Sequence, residues 1–157
     1  MKPKVYLLCG LPGSGKSTFC KNLSKQNNTA IYSSDEWIIN LFGKDFAHEK
    51  FQEYQAIARQ KIAESAQRDL SKLKNIVLDF GFWKQKGRKK YIEWAKSLKA
   101  EPVIYFFNVD YATLENRLDK RNLEKENKSF IVTRDMLHAF TQEFEAPTSI
   151  EAKLIKI

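Results

Sequence analysis

Largely apolar runs of five to eight residues alternate along the chain with longer segments that have helical periodicity. The runs lie at residues 5–9, 30–34, 75–80, 102–109 and 153–157. Short continuous runs are typical of strands that are covered on both faces of a parallel sheet. Strands that alternate with helices predict an α/β fold, a three-layer α/β/α sandwich with a five-stranded parallel sheet and right-handed crossovers. The spacing of the runs does not give the strand order.

The clearest helical periodicity lies between the second and third runs, from about residue 50 to residue 73. Apolar side chains recur there every three or four residues and form one stripe: Phe51, Tyr54, Ala58, Ile62, Ala66, Leu70 and Leu73. Such a stripe is typical of a helix that packs on a sheet. Further helices are predicted over 16–23, 111–121 and 134–145, the last two beginning after the capping residues Asp110 and Thr133.

The turn between the first strand and the first helix carries the most specific motif. Residues 10–17 read GLPGSGKS and fit the phosphate-binding pattern G-x-x-x-x-G-K-[ST]. The glycines let successive backbone N–H groups turn toward an anion, and the following helix directs its positive end to the same place. The predicted nucleotide contacts are Gly10, Pro12, Gly13, Ser14, Gly15, Lys16, Ser17 and Thr18. Lys16 is expected at the β- and γ-phosphates of ATP, and the Ser17 hydroxyl on Mg²⁺.

Two aspartates lie at the carboxyl ends of predicted strands, where ligands of open α/β sheets bind. Asp35 follows the second strand and Asp79 ends the third. Asp35 is predicted to accept the proton of an attacking hydroxyl group, and the alternative is that it caps the next helix. Asp79 is predicted to organise the metal ion together with Ser17, and the alternative is a strand-end cap.

A basic segment follows the third strand. Five of the seven side chains at residues 84–90 are cationic, and Phe82 and Trp83 precede them. This segment is predicted either to contact an acidic or stacked acceptor, with Arg88 as the main candidate, or to form the solvated start of a helix.

Two further basic residues lie in the second half of the predicted helix over 111–121. Arg117 and Arg121 are four residues apart and share a helix face, and a polar segment over 122–128 follows. We predict a lid at about residues 117–134 whose arginines neutralise charge on a transferred phosphoryl group. The alternative is a solvated helix end.

Composition mainly excludes classes of protein. A length of 157 residues suits one domain over 1–157, and no apolar run approaches the roughly 20 residues of a membrane span. The start lacks the pattern of a signal peptide, so we expect a cytoplasmic protein with no membrane partner. Cys9 and Cys20 are expected to be free thiols. A formal net charge of +8 suits phosphate-rich ligands, although solvated lysine-rich faces also produce it.

Several of these motifs together resemble the small P-loop kinase family that includes polynucleotide 5′-hydroxyl kinases and zeta-toxin-like sugar kinases. They are the P-loop, Ser34-Asp35, Leu78-Asp79-Phe80-Gly81-Phe82-Trp83 with Arg88, the pair Arg117 and Arg121, and Phe144-Glu145-Ala146-Pro147. The resemblance implies the strand order 2-3-1-4-5 of nucleoside monophosphate kinases, and the use of ATP and Mg²⁺.

The resemblance also implies roles for individual residues. Asp35 would match the general base, Arg117 and Arg121 would match the lid arginines on the ATP phosphates, and Pro147 would lie near the adenine. Polynucleotide kinases of this kind carry an arginine three residues after the base, where this chain has Ile38. The acceptor therefore stays open between a small molecule and a polynucleotide end.

We thus predict a phosphotransferase that moves the γ-phosphate of ATP to a hydroxyl group. The alternative is a non-catalytic ATP-binding regulatory module, which needs Lys16 and Ser17 but not Asp35. A GTPase is disfavoured because the chain has no Asn-Lys-x-Asp stretch to select guanine. A motor of the AAA type is disfavoured because 157 residues leave no room for the second helical domain that it needs.

Overall fold

The computed structural model describes residues 1–26, 28–124 and 129–157. It contains one sheet of five strands, namely β1 (Lys4–Cys9), β2 (Thr29–Ser33), β3 (Asn75–Gly81), β4 (Glu101–Phe106) and β5 (Lys153–Lys156). Every pairing is parallel and the order is β2-β3-β1-β4-β5. The predicted α/β class and the strand order implied by the resemblance are both confirmed.

In the described part of the chain, six α-helices connect the strands: α1 (Lys16–Ser24), α2 (Ser34–Phe42), α3 (Phe51–Ser71), α4 (Gln85–Ser97), α5 (Tyr111–Asn122) and α6 (Arg134–Glu143). A 3₁₀ turn, His48–Lys50, precedes α3. The predicted caps are confirmed, because the side chains of Asp110 and Thr133 accept hydrogen bonds from the amides of Thr113 and Met136. Within the described residues, no helix has the length and apolar character needed to cross a membrane.

The core lies on both faces of the sheet, as expected for parallel strands. On one face, Ile62, Ala66 and Leu70 of α3 pack with Tyr91, Ile92 and Ala95 of α4. On the other face, Cys20 and Leu23 of α1 pack against Leu8, Val77 and Phe107. Both cysteines are buried and free, as predicted.

The strand register brings the functional segments together at one edge of the sheet. Cys9, the last residue before the P-loop, pairs with Gly81 of β3 and Phe106 of β4, and Ser33 pairs with Asp79. The P-loop, the start of α2 and the end of β3 therefore meet at the carboxyl edge.

Three predicted element ends were wrong by two residues or more, for identifiable reasons. Leu73 is not part of the core stripe, because α3 ends at Ser71 and Leu73 has a φ of 60° and is 62% exposed. Strand β4 stops at Phe106 rather than residue 109, because its partner β1 turns into the P-loop after Cys9. Helix α6 ends at Glu143, since Phe144 takes an extended backbone conformation.

Candidate active site

The P-loop has the backbone geometry of an anion cradle. Gly13 and Gly15 have φ angles of 82° and 97°, in the left-handed region that favours glycine. A Cβ atom at Gly10 would lie 2.6 Å from the Ser14 hydroxyl oxygen and 3.0 Å from Cβ of Phe107. The predicted contacts from Gly10 to Thr18, Pro12 included, form the turn after β1 and the start of α1, as predicted. Their binding of nucleotide stays a prediction.

Lys16 lies folded over its own loop. Its Nζ atom donates to the carbonyl oxygens of Gly10 and Leu11, both at 2.9 Å, and contacts the Ser14 hydroxyl at 3.5 Å. Burial lowers the pKa of Lys16, whereas the charges of Asp79 and Asp35 act to raise it. The ammonium group therefore lies at the phosphate-binding loop, facing two carboxylates.

Asp35 does not cap helix α2. The cap is Ser33, whose hydroxyl accepts from the amide of Glu36 at 3.4 Å, and Asp35 lies in the first helical turn. Asp79 is likewise no strand-end cap, because β3 continues to Gly81. The structural alternatives for both aspartates are thus corrected, which leaves their carboxylates available for chemistry.

The two carboxylates share a half-buried and charged environment. Burial raises the pKa of Asp35, and the charge of Asp79 raises it further, while Lys16, Arg121 and Arg59 act to lower it. Burial also raises the pKa of Asp79, against the effect of Lys16. Among the residues that the structure describes, neither carboxylate has a hydrogen-bond or ion-pair partner.

These residues fit a magnesium ion held mainly by phosphate oxygens and water. Mg²⁺ in nucleotide sites takes oxygen ligands, usually one or two carboxylates or hydroxyls of the protein plus phosphates. Ser17, exposed at the start of α1, and Asp79 near the end of β3 carry side-chain oxygens of this kind. The described residues form no group of three or more acidic, histidine or cysteine side chains, which is the arrangement of an all-protein metal cage.

The two arginines of α5 face the same site. Arg117 donates from Nη1 to the Gly13 carbonyl at 3.1 Å, directly on the P-loop. Arg121 lies close enough to Asp35 for its charge to lower the pKa of that carboxyl, and it reaches the Phe130 carbonyl at 3.5 Å. The central part of the predicted lid, residues 125–128, lies outside the described residues.

Arg59 of α3 is a candidate functional residue that the sequence reasoning missed. Its Nε atom donates to the Ser34 hydroxyl at 3.4 Å and its Nη2 atom to the Phe80 carbonyl at 3.2 Å. The guanidinium lies 4.7 Å from the centroid of the Phe80 ring and acts electrostatically on Asp35. In the sequence, Arg59 is one of several cationic residues of a long helix. The only signal that could have identified it is its position next to Ala58, which belongs to the apolar stripe of that helix.

Arg88 does not contact the candidate site, which corrects its prediction as an acceptor contact. Only 1% of the residue is exposed, and Nε and Nη2 donate to the carboxylate of Glu151 at 2.9 and 3.4 Å. Its Nη1 atom donates to the carbonyls of Phe82 and Glu145 at 2.9 and 2.8 Å. Helix α4 turns this position inward and leaves its neighbours Lys89 and Lys90 exposed. The basic segment is therefore the solvated start of a helix.

Replacement of Arg88 by methionine is expected to lower the free energy of unfolding by about 3–5 kcal/mol, because it leaves the Glu151 carboxylate without its buried partner. Urea unfolding checks this value, with the exposed Lys89→Met as the matched control. A loss below about 1 kcal/mol would contradict the structural role of Arg88.

A cavity of about 180 Å³ lies next to the P-loop. Its walls include Leu11 of the P-loop, Asn108 and Val109 after β4, and Thr141 and Phe144 near the end of α6. Pro147 is buried but does not line this cavity. The adenine contact at Pro147 therefore stays a prediction.

Comparison with known proteins finds a matching family model and a similar protein of known activity. A family model described as an AAA domain matches residues 5–147. The shikimate kinase of Chlamydia pneumoniae is 26% identical over 143 residues, which cover 90% of this chain and 79% of that protein.

Solved structures agree in fold. The chain is similar to a protein in the Pnkp1/Rnl/Hen1 RNA repair complex, with a TM-score of 0.69 and 22% identity, covering 92% of this chain. The match spans only 47% of that longer chain. A gluconokinase from Sinorhizobium meliloti matches with a TM-score of 0.64 and 14% identity, over 99% of this chain and 83% of its own. The family model covers most of the sequence, and the predicted resemblance to P-loop kinases is confirmed: the chain belongs to the AAA_33 family of P-loop kinases.

Proposed function

We propose that this protein is an ATP- and Mg²⁺-dependent kinase that phosphorylates a hydroxyl group of an acceptor with a nearby anionic group. The observation that carries the proposal is the environment of Asp35. Its carboxylate has no partner among the described residues, and the charges of Lys16, Asp79, Arg59 and Arg121 all act on it. A carboxylate in this position combines proximity to the phosphate-binding loop with the requirements of a general base.

Asp35 would orient the acceptor hydroxyl and take its proton. The hydroxyl oxygen forms a bond to the γ-phosphorus while the bond from that phosphorus to the bridging oxygen of ADP breaks, and the electron pair of that bond stays on ADP. A carboxyl whose pKa is raised by burial is a stronger base than an exposed aspartate, which suits this proton transfer.

The P-loop amides and Lys16 would hold the phosphates, with Arg117 at the Gly13 carbonyl and Arg121 facing Asp35. Cationic donors fixed in advance stabilise the charge of a transferring phosphoryl group. Ser17 and Asp79 would hold Mg²⁺, which when bound offsets the negative charge of the β- and γ-phosphates.

Arg59 supports the anionic character of the acceptor. Nε and Nη2 are hydrogen-bonded, whereas Nη1 has no hydrogen bond to any residue that the structure describes. A guanidinium with a remaining donor beside the proposed base suits a carboxylate or phosphate on the acceptor. The names of two similar proteins support this, because shikimate and gluconate are both hydroxy acids.

Arg59→Gln is expected to raise the KM for the acceptor by about ten- to a hundredfold, because one charge-assisted hydrogen bond is lost. The KM for ATP is expected to stay within about threefold of its original value. Steady-state kinetics with each substrate varied in turn measure both constants. The matched control is Arg68→Gln, since Arg68 is on the same helix and its side chain bonds only to Ser65 among the described residues. Equal KM values for the acceptor in both variants would contradict the role of Arg59.

The proposed reaction is tested by transfer of label from γ-labelled ATP, with Mg²⁺, to a panel of acceptors. Anionic members are shikimate, gluconate, nucleotide sugars and 5′-hydroxyl RNA and DNA oligonucleotides, and the others are nucleosides and aminoglycosides. Label on an anionic acceptor, lost in Asp35→Asn, is the expected result. Label on an uncharged or cationic acceptor would contradict the role of Arg59. ATP binding without transfer to any member would favour the regulatory ATP-binding module.

A further inference from the structure

The turn between β3 and α4 has an unusual backbone that lies against the P-loop. Gly81 and Phe82 are consecutive residues with φ angles of 79° and 50°. The left-handed region is costly for an aromatic residue such as Phe82, and such conformations persist only where the surroundings hold them. Two consecutive residues of this kind redirect the chain sharply at the carboxyl edge of the sheet.

Buried hydrogen bonds hold the turn in place. The Phe82 carbonyl accepts from Nη1 of Arg88 at 2.9 Å and from the thiol of Cys9 at 3.3 Å. The Gly81 carbonyl accepts from the amide of Gly10 at 3.0 Å. The turn is thereby fixed to the residues on either side of the point where β1 enters the P-loop.

The turn places the side chain of Trp83 against the P-loop backbone. The indole Nε1 atom donates to the Gly10 carbonyl at 3.2 Å, and the ring packs on Phe140 with centroids 4.5 Å apart. A Cβ atom at Gly81 would lie 3.0 Å from Nε1, so a side chain there would crowd the indole. The Trp83 carbonyl accepts from the amide of Glu145 at 2.8 Å, which fixes the tryptophan from its backbone side.

The Gly10 carbonyl is shared by Trp83 and Lys16. All three N–H donors of an ammonium group are accounted for by the contacts of Lys16 with Gly10, Leu11 and Ser14. A hydrogen bond from Lys16 to a phosphate oxygen must therefore take at least one donor away from the loop. The indole N–H of Trp83 faces no such competition, because the packing of its ring fixes its direction.

We infer that Trp83 is a positioning residue that keeps the first peptide of the P-loop in its phosphate-binding orientation when Lys16 turns to a nucleotide phosphate. The inference rests on the proposed use of ATP. Trp83 then acts on the P-loop, whereas the sequence predicted it only as a neighbour of a possible acceptor contact. The strained turn and the buried Arg88 then serve to present one N–H group to Gly10.

The test compares Trp83→Phe with Trp94→Phe in the full chain. Phenylalanine at position 83 keeps an aromatic ring against Phe140 but removes the N–H donor. Trp94 lies in α4 partly buried, contacts Tyr91, and makes no indole hydrogen bond to the described residues, so its replacement controls for the loss of a tryptophan. Titration calorimetry with ADP and Mg²⁺ measures the dissociation constant of each protein.

Trp83→Phe is expected to raise the dissociation constant of ADP by about three- to tenfold, the usual effect of one net hydrogen bond. It is also expected to raise the KM for ATP by a similar factor with kcat changed less than about twofold, whereas Trp94→Phe changes neither. The change in tryptophan fluorescence on addition of ADP is expected to be smaller in Trp83→Phe than in Trp94→Phe, because Trp83 bonds to the P-loop whereas Trp94 packs on Tyr91.

Unchanged ADP affinity in Trp83→Phe would overturn the inference and leave the proposed kinase activity untouched. An equal loss of affinity in Trp94→Phe would also overturn it, because the effect would then come from general packing. If the unmodified protein bound no ADP, both the inference and the proposed function would fail.

Discussion

Asp35→Asn is expected to lower kcat by about a hundredfold to ten-thousandfold, because asparagine cannot accept the proton of the attacking hydroxyl. The dissociation constant of ADP is expected to stay within about threefold, since the P-loop amides and Lys16 are retained. Single-turnover transfer and ADP titration measure the two effects separately. Asp135→Asn is the matched control, because Asp135 lies exposed in the first turn of α6, as Asp35 lies in the first turn of α2, and is outside the predicted lid. Turnover of Asp35→Asn equal to that of the control would contradict the assigned base.

The same substitution is expected to stabilise the protein at neutral pH. Burial raises the pKa of Asp35 in the folded state, so the folded chain binds this proton more tightly than the unfolded chain does. Asp35 therefore contributes fully to the free energy of unfolding below the ordinary aspartate pKa of about 4. That contribution is lost as the pH rises through the pKa of Asp35 in the folded state. At pH 7 the neutral asparagine avoids that penalty. A higher Tm together with lost turnover would distinguish a functional carboxylate from a structural one.

The pH dependence of kcat/KM follows from the same direction of shift. The value of kcat/KM is expected to increase with pH as Asp35 loses its proton, and this increase forms the acid limb of the pH profile. The apparent pKa of the acid limb is expected to lie above that of an exposed aspartate. An acid limb that is unchanged in the residual activity of Asp35→Asn would assign the titration to another group.

Lys16→Met is expected to lower kcat/KM for ATP by about a hundred- to a thousandfold, the range found when one preorganised donor to a charged transition state is lost. Methionine keeps an unbranched apolar chain of similar length and removes only the charge and its three donors. The control is Lys21→Met, because Lys21 is exposed in the last turn of the same helix. Initial rates over a range of ATP concentrations check this expectation.

Lys16→Met should also move the remaining activity to higher pH. The charge of Lys16 lowers the pKa of both Asp35 and Asp79, so its removal lets burial raise both values further. An acid limb that moved to lower pH, or a fall in activity no larger than that of Lys21→Met, would contradict this arrangement of charges.

Local sequence signals predicted the parts of the site that depend on backbone conformation. The P-loop was predicted from the spacing of its glycines. Gly13 and Gly15 have left-handed backbone angles, and the preference of glycine for such angles can be recognised from the residue type alone. Asp35 and Asp79 were predicted from their positions close to the carboxyl ends of β2 and β3, because parallel strands bring their carboxyl ends to one edge. The side-chain caps Asp110 and Thr133 follow from local hydrogen bonds to the amides three residues ahead.

The tertiary structure decided what the remaining basic and aromatic residues do. The sequence shows Arg59 and Arg88 as two cationic residues of helices, yet the fold turns Arg59 toward Asp35 and buries Arg88 against Glu151. The difference lies in partners distant in sequence, since Glu151 is 63 residues from Arg88 and Phe80 is 21 residues from Arg59.

The strand order and the position of Trp83 belong to the same class of property. Hydrogen bonds between strands and the contact of an indole with Gly10, 73 residues away, form only when the chain packs. The sequence by itself therefore determined the phosphate-binding loop, the carboxylates and the α/β class, because these depend on conformations of neighbouring residues. Packing between distant segments determined which arginine faces the candidate acceptor site and which one holds the turn that supports the loop.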